Sequence, residues 1–369
     1  MSSSSSGAVR GESAPASSAS TTRQAKRNEV LTGLVNWMKK NKRELPMRAE
    51  DVTPWGTLVG EVMSQQTPMP RVQPIWSRWM QLWPTPAALA AAPASRVLVE
   101  WGRLGYPSRA LRLRECAIAI SERPGGQVPA DFESLCSLPG IGPYTASALM
   151  SFQFHERRAV LDTNIRRVIA RIFSGIERPA SSSPTRVERE LADSLLPSSG
   201  AECATWNLAL MEFGAIACTS KNPACDTCPL VAECAWFVAG RPMVEVKRKS
   251  QAWAGTDRQA RGRVMQLLRD RHVSGDSSAS CASSDSPVAS GDSSATGNVP
   301  SPINEAAPTV SYSAALEAAT LPGSDPDQAP RVIEGLLADG LLVRVGEDRL
   351  ALAHCHGGRL SPGASCARY

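Results

Sequence analysis

Four cysteines crowd one short stretch: Cys218, Cys225, Cys228 and Cys234, separated by six, two and five residues, with Pro223 and Pro229 bending the chain between them. Four thiolates on one loop can converge on a single inorganic centre, and both a 4Fe-4S cluster and a structural zinc ion take four cysteine ligands. The spacing lacks the paired C-x2-C halves of a zinc ribbon, which favours iron-sulfur. Such a centre would hold the loop against neighbouring helices, where basic residues could meet phosphates. The ten cysteines come without an apolar leader, so the pattern reads as metal or cluster ligation in a reducing compartment, and a cytoplasmic location is expected. Cys116, Cys136 and Cys203 fall in apolar, helical sequence and read as small buried hydrophobes. Cys281, Cys355 and Cys366 receive no role.

A second feature has its own chemistry. In Leu138-Pro139-Gly140-Ile141-Gly142-Pro143-Tyr144-Thr145-Ala146, two glycines let the backbone turn tightly between a helix predicted over 132–138 and another over 145–152. Gly140, Gly142 and Thr145 then present backbone N–H groups at a helix start, a geometry suited to phosphate oxygens. This is a helix-hairpin-helix pattern, although a bare G-x-G also fits an ordinary helix-turn-helix connection. Phosphate contacts of this kind carry affinity and not sequence choice. The basic run Lys247-Arg248-Lys249, with Arg258, Arg261 and Arg263 beyond it, is either a solvated face or a further set of phosphate contacts.

The elements that must position these groups are helical. From Arg23 to about Arg271 apolar residues recur at helical spacing, as in Val30, Leu31, Leu34, Val35, Trp37 and Met38, with Pro/Gly/Ser breaks and no convincing period-two strand. The 369 residues, 42% hydrophobic, suffice for two or three folded units. No run of about 18 apolar residues occurs, which argues against a membrane span. The net charge of +5 is compatible with a polyanionic partner without requiring one. A Ser/Ala tail over 1–22 and a Ser/Asp/Gly/Pro linker over 274–302 are expected to be disordered. A basic extension over 241–273 precedes the linker. Beyond it, residues 303–369 form a small C-terminal unit in which Val332–Leu337 and Leu341–Val345 read as a helix followed by a short hairpin, a winged-helix-like pattern.

Taken together, the hairpin, an aspartate some twenty residues later and the C-x6-C-x2-C-x5-C loop resemble the endonuclease III superfamily of DNA glycosylases. Within it, Pro54-Trp55-Gly56-Thr57-Leu58-Val59-Gly60-Glu61-Val62-Met63-Ser64-Gln65-Gln66-Thr67 is similar to the signature of the MutY-type adenine glycosylases. The resemblance continues through Trp101–Tyr106, Val160–Val168 and Asn207–Gly214, and covers about residues 25 to 240.

The resemblance implies an all-α, two-lobed fold: a six-helix barrel over 53–160 containing the hairpin, and an iron-sulfur lobe built from 23–52 and 161–240. It implies a 4Fe-4S cluster on the four cysteines and a monomer acting on double-stranded DNA with A:8-oxoguanine or A:G mispairs. Glu61 would protonate adenine, and ionised Asp162 would stabilise the cationic sugar. By themselves, Glu61 reads as a helical surface carboxylate and Asp162 as the N-cap of a following helix. Tyr144 stands where strand-cutting relatives carry a nucleophilic lysine, so the enzyme would leave an abasic site without cutting. Gln66 matches the glutamine that fills space in the duplex, Tyr106 the tyrosine that wedges beside the base opposite adenine, and Arg48 and Glu212 residues lining the adenine pocket. Pro46-Met47-Arg48 departs from the family's Pro-Trp-Arg, and Gly60 replaces a serine. Many members carry a MutT-like C-terminal domain that reads 8-oxoguanine; residues 302–369 are too short and differently patterned for it. A glycosylase for another damaged base, and a non-catalytic structure-specific DNA-binding protein, are the competing functions.

Overall fold

The computed structural model describes residues 16–243, 253–279 and 308–353. Lys247-Arg248-Lys249, Cys281, Cys355, Cys366 and most of the expected linker lie outside them. The helices of the main body are α1 (Ala16–Asn41), α2 (Pro54–Ser64), α3 (Met69–Leu82), α4 (Pro86–Ala91), α5 (Ala94–Trp101) and α6 (Ser108–Ser121). They continue with α7 (Phe132–Cys136), α8 (Pro143–Phe152), α9 (Thr163–Ser174), α10 (Arg186–Leu195), α11 (Gly200–Ile216) and α12 (Ala235–Val238). After these come α13 (Asp257–Ala279), β1 (Thr309–Ser311), α14 (Tyr312–Ala319), α15 (Gln328–Ala338), β2 (Leu342–Val345) and β3 (Arg349–Leu352). Helix starts follow the local chemistry. Thr53, Thr85, Asp162, Thr185 and Ser199 each accept a hydrogen bond from the backbone N–H three residues on, which satisfies a donor the helix itself cannot.

The described chain divides into two units. One comprises residues 16–44, 130–132 and 143–243; the other comprises 45–129, 133–142 and everything from 253 onward. In the first, Val30 and Leu34 of α1 pack with Ala148 of α8, Ile165 and Val168 of α9, and Trp206 and Phe213 of α11 in one buried cluster. Each of the larger aliphatic and aromatic side chains among them contributes about 1.5–3 kcal/mol on burial. The division falls before Pro143, not near 160 where the sequence placed it, because α8 packs on α11.

In the second unit, α2 to α6 surround a tryptophan core. Trp79 meets Trp83 and Trp101 edge-on at 4.8 and 5.5 Å, and the indole N–H of Trp55 and of Trp76 each donates to a carbonyl, of Trp83 and Gly56. The C-terminal part of this unit runs helix, strand, helix, helix, strand, strand, with an antiparallel sheet in the order β1-β3-β2. Helix α13 belongs to it: it packs on α14 and α15, Arg261 pairs with Asp339, and Arg263 donates to the Thr320 carbonyl at 3.1 Å. Two boundaries differ from expectation. Helix α1 begins at Ala16, inside the expected tail, and α13 runs to Ala279, past the expected start of the linker.

Candidate functional site

Asp162 caps α9. Its Oδ1 accepts from the Ile165 backbone N–H at 2.6 Å and its Oδ2 from the Asn164 side-chain amide at 2.8 Å, which fixes the carboxyl at the head of the helix. Burial pushes this carboxyl above the usual aspartate range, against the pull of those hydrogen bonds and of the Arg167 charge. The segment leading into Asp162 is pinned from α11. Asn207 donates to Ser151 Oγ and to the Arg158 carbonyl, both at 2.9 Å, and accepts from the Val160 N–H. Gly214 lets α11 approach: a Cβ there would stand 2.8 Å from the Asn164 Cβ.

Helix α9 links this carboxyl to the cysteine loop. Arg167 bonds the Asn164 side chain at 2.9 Å, the Gly214 carbonyl at 2.6 Å and the Cys218 carbonyl at 2.9 Å. One turn on, Arg171 reaches Cys218 Sγ at 3.2 Å and the Thr219 carbonyl at 2.8 Å, with its guanidinium 4.5 Å from the Trp236 ring centroid. Cys218, Cys225, Cys228 and Cys234 all line one pocket, whose other walls include Phe213, Leu230 and Trp236. Burial pushes the Cys228 thiol up to about 11, a shift that the Leu230 N–H opposes and the three neighbouring thiols reinforce. Among the described residues no three His, Cys, Asp or Glu side chains close on a single ion position. The thiols instead stand around the wall of the pocket. Elsewhere, Cys116 and Cys203 are buried and Cys136 is half-buried.

Glu61 lies on α2 among buried neighbours, including Leu58, Val59, Val62 and Met63, and is itself half-buried, not the surface group its spacing suggested. Beyond α2 the chain turns sharply through Gln66, whose φ of +54° is rare for a side chain of this kind; Tyr106 has a φ of +46°. One residue organises both turns. Arg109 donates to the carbonyls of Val62 (2.8 Å) and Gln65 (2.6 Å), to Thr67 Oγ1 (3.1 Å) and to the Gly105 carbonyl (3.2 Å), while its guanidinium lies 5.6 Å from the Tyr106 ring centroid. Burial lowers it to about 10, so it stays charged at neutral pH.

The remaining candidates are held as follows. Between α7 and α8 the chain turns at Gly140, with φ +76° and the Ile141 N–H bonded to the Leu138 carbonyl. Gly142 is exposed with open space where a Cβ would go, Thr145 is buried, and Tyr144 packs half-buried against the core of the first unit. Arg48 ends a short 3-10 turn over Pro46–Arg48. Met47 beside it fills the space Gly60 leaves, since a Cβ on Gly60 would meet the Met47 Cβ at 3.2 Å. Glu212, 1% exposed, takes both side-chain and backbone donors of Arg43, the shortest at 2.6 Å.

The structure thus groups Asp162, Tyr144, Thr145, Glu212 and the four cysteines in the first unit, and Glu61, Arg48, Gln66, Tyr106, Gly140 and Gly142 in the second. Arg43, Asn207, Arg109, Arg167 and Arg171 are supporting residues the sequence reading missed. The one available signal was an arginine inside an otherwise apolar helical face, as at Arg167 and Arg171.

Residues 59–197 match the family model described as "HhH-GPD superfamily base excision DNA repair protein". Among curated proteins, the chain is 40% identical to an adenine DNA glycosylase of Mycolicibacterium smegmatis, over 87% of this chain and 94% of the relative. It is 41% identical to that of Mycobacterium tuberculosis H37Rv, over 87% and 92%. The human adenine DNA glycosylase is 38% identical over 54% of this chain and 38% of its own length. Among solved structures, a thermostable thymine-DNA glycosylase superposes with a TM-score of 0.54 at 27% identity, covering 58% of this chain and 98% of that one. An endonuclease III in a trapped covalent DNA intermediate superposes at 0.50 and 22% identity, over 60% and 99%, and supports the fold.

Proposed function

Because the chain belongs to the adenine DNA glycosylase family of HhH-GPD base-excision repair proteins, we propose that Glu61 and Asp162 act on one adenine extruded from a mispair with 8-oxoguanine or guanine. Adenine is a poor leaving group. Glu61 protonates it at N7 while ionised Asp162 stabilises the positive charge that develops on the sugar, the division of labour that paired carboxylates perform in glycoside hydrolysis.

The observation that carries this reading is the state of Asp162. Its half-buried carboxyl is held at the head of α9 by two donors that fix its direction, and burial disfavours its anion. A nearby oxocarbenium-like charge relieves that penalty only as the bond breaks, so the interaction is stronger in the transition state than in the ground state. Water then adds to the sugar carbon, and its proton goes to the Glu61 carboxylate that protonation of adenine left ionised. Tyr144 has no amine with which to form a Schiff base, so the product is an abasic site on an intact strand. Gly140, Gly142 and Thr145 hold the backbone phosphates. Gln66 fills the space the extruded adenine leaves in the duplex and Tyr106 wedges beside the base opposite it, offsetting an unstacking cost of a few kcal/mol that a mispair makes smaller. Arg48 lines the adenine pocket, and Glu212 does so through its pairing with Arg43.

Cys218, Cys225, Cys228 and Cys234 would hold a 4Fe-4S cluster. Four thiols around one largely apolar pocket, with Arg171 beside Cys218 to offset thiolate charge, suit that group. Its part is structural: it would brace the loop that Arg167 and Arg171 tie to the helix capped by Asp162.

The test is single-turnover adenine release from an A:8-oxoguanine duplex. Glu61→Gln is expected to lose at least about 10²-fold in rate, the scale of general acid catalysis, while keeping mispair binding. Full turnover by that variant rejects the assignment. Borohydride is expected to trap no covalent adduct with the unmodified protein.

A further inference from the structure

Five side chains of the second unit alternate aromatic ring and guanidinium. Arg109 lies 5.3 Å from the Trp101 ring centroid and 5.6 Å from that of Tyr106; Arg258, in the first turn of α13, lies 4.9 Å from Tyr106 and 5.4 Å from Trp253. The series begins on a fully buried indole and ends at the surface, where Tyr106 is 44% and Trp253 56% exposed. Its inner half is rigid, because Arg109 is fastened to the backbone of two turns.

Core packing does not account for the outer half. Trp253 leaves a large apolar face in water, and Arg258 spends its guanidinium on two exposed rings where Arg261 and Arg263 are committed to tying α13 to Asp339 and Thr320. Flat rings and a guanidinium plane displayed to solvent on a rigid base are the make-up of surfaces on which unpaired bases stack.

We propose that Trp253 and Arg258 read the base left opposite the extruded adenine, with Tyr106 as the platform between them. This rests on the adenine glycosylase reading and extends its recognition surface to residues at the start of the C-terminal unit. The chemistry favours an acceptor-rich purine. A guanidinium only donates; guanine offers O6 and N7 as acceptors, and 8-oxoguanine offers the two carbonyl oxygens O6 and O8, its N7 having become a donor, whereas cytosine presents its amino group in the major groove.

The experiment measures single-turnover adenine release by the full chain from A:8-oxoguanine, A:G and A:C duplexes, for the unmodified protein and for Trp253→Ala, Arg258→Ala and Trp253→Phe. Equilibrium binding is measured in parallel on duplexes in which a non-cleavable adenine analogue faces the same three bases. Either alanine is expected to lower the ratio of 8-oxoguanine to cytosine, in rate and in affinity, by about tenfold, the scale of losing one base-edge contact, Trp253 acting by placing the Arg258 guanidinium. Phenylalanine at 253 is expected to restore much of it. Ratios equal to those of the unmodified protein, a uniform loss on all three duplexes, or no base preference in the unmodified protein would overturn the proposal. Base-dependent binding without any adenine release would instead overturn the parent reading, and the affinity ratios would still decide this one.

Discussion

A carboxyl withdrawn from water gains by taking up a proton, and Asp162 is in that position at the head of α9. The sign follows from linkage. With the folded pKa raised above the unfolded value, the folded state binds more protons, so the penalty is absent well below the ordinary aspartate range (about 3.9) and fully present above the raised value. Asp162→Asn removes the charge and keeps a competent N-cap. The variant is expected to melt no lower than the unmodified protein at neutral pH, with any gain fading as pH falls through the ordinary range, and to release no adenine. A variant less stable by the same margin at every pH would show that burial of the charge is not the dominant cost. In the unmodified protein, the acid limb of the rate profile should lie above the ordinary aspartate range. Glu212 differs: its carboxylate is more deeply buried, but Arg43 supplies the counter-charge and two parallel hydrogen bonds.

Two turns are the critical elements in the second unit, after α2 and before α6, and Arg109 fastens them together. Hydrogen bonds from a charged donor contribute about 1.5–3 kcal/mol each and do not simply add. Arg109→Ala is therefore expected to lower the melting temperature and weaken mispair binding. Arg109→Lys should recover only part, since one ammonium cannot reach the set of carbonyls a planar fork spans. Equal affinity for the mispair in Arg109→Ala would separate these turns from recognition. This element also shows what sequence can and cannot disclose. The helices, the hairpin at Gly140 and the cap at Asp162 follow local spacing and were legible, as were α15 and the β2–β3 pair. Arg109 was not, because its partners on the turn after α2, Val62, Gln65 and Thr67, lie more than forty residues away and nothing in its neighbourhood marks them. For the same reason α13 read as a basic extension. The residues that make it part of the C-terminal unit, Thr320 and Asp339, lie beyond the intervening Ser/Asp/Gly stretch.

Across the whole molecule, α9 acts as a strut in the first unit, with Asp162 at one end and the cysteine pocket reached through Arg167 and Arg171. If the pocket holds an inorganic cluster, Cys228→Ser should reduce its visible absorbance, lower the melting temperature and slow adenine release together. Loss of absorbance with unchanged melting and unchanged rate would detach the cluster from the fold of this unit. In the C-terminal unit opposite charges pair between and within elements: Arg261 with Asp339, Arg331 with Asp257 and Asp325, and Arg344 with Glu334. The Arg258 guanidinium instead faces the Tyr106 and Trp253 rings. The uneven exposure of the indoles has a practical consequence. Trp253 is the one described tryptophan that is exposed, the rest being buried or half-buried. Its emission should lie at the red edge of the protein's fluorescence, open to collisional quenchers that the interior rings escape, which makes it a built-in optical reporter for whatever settles on that surface.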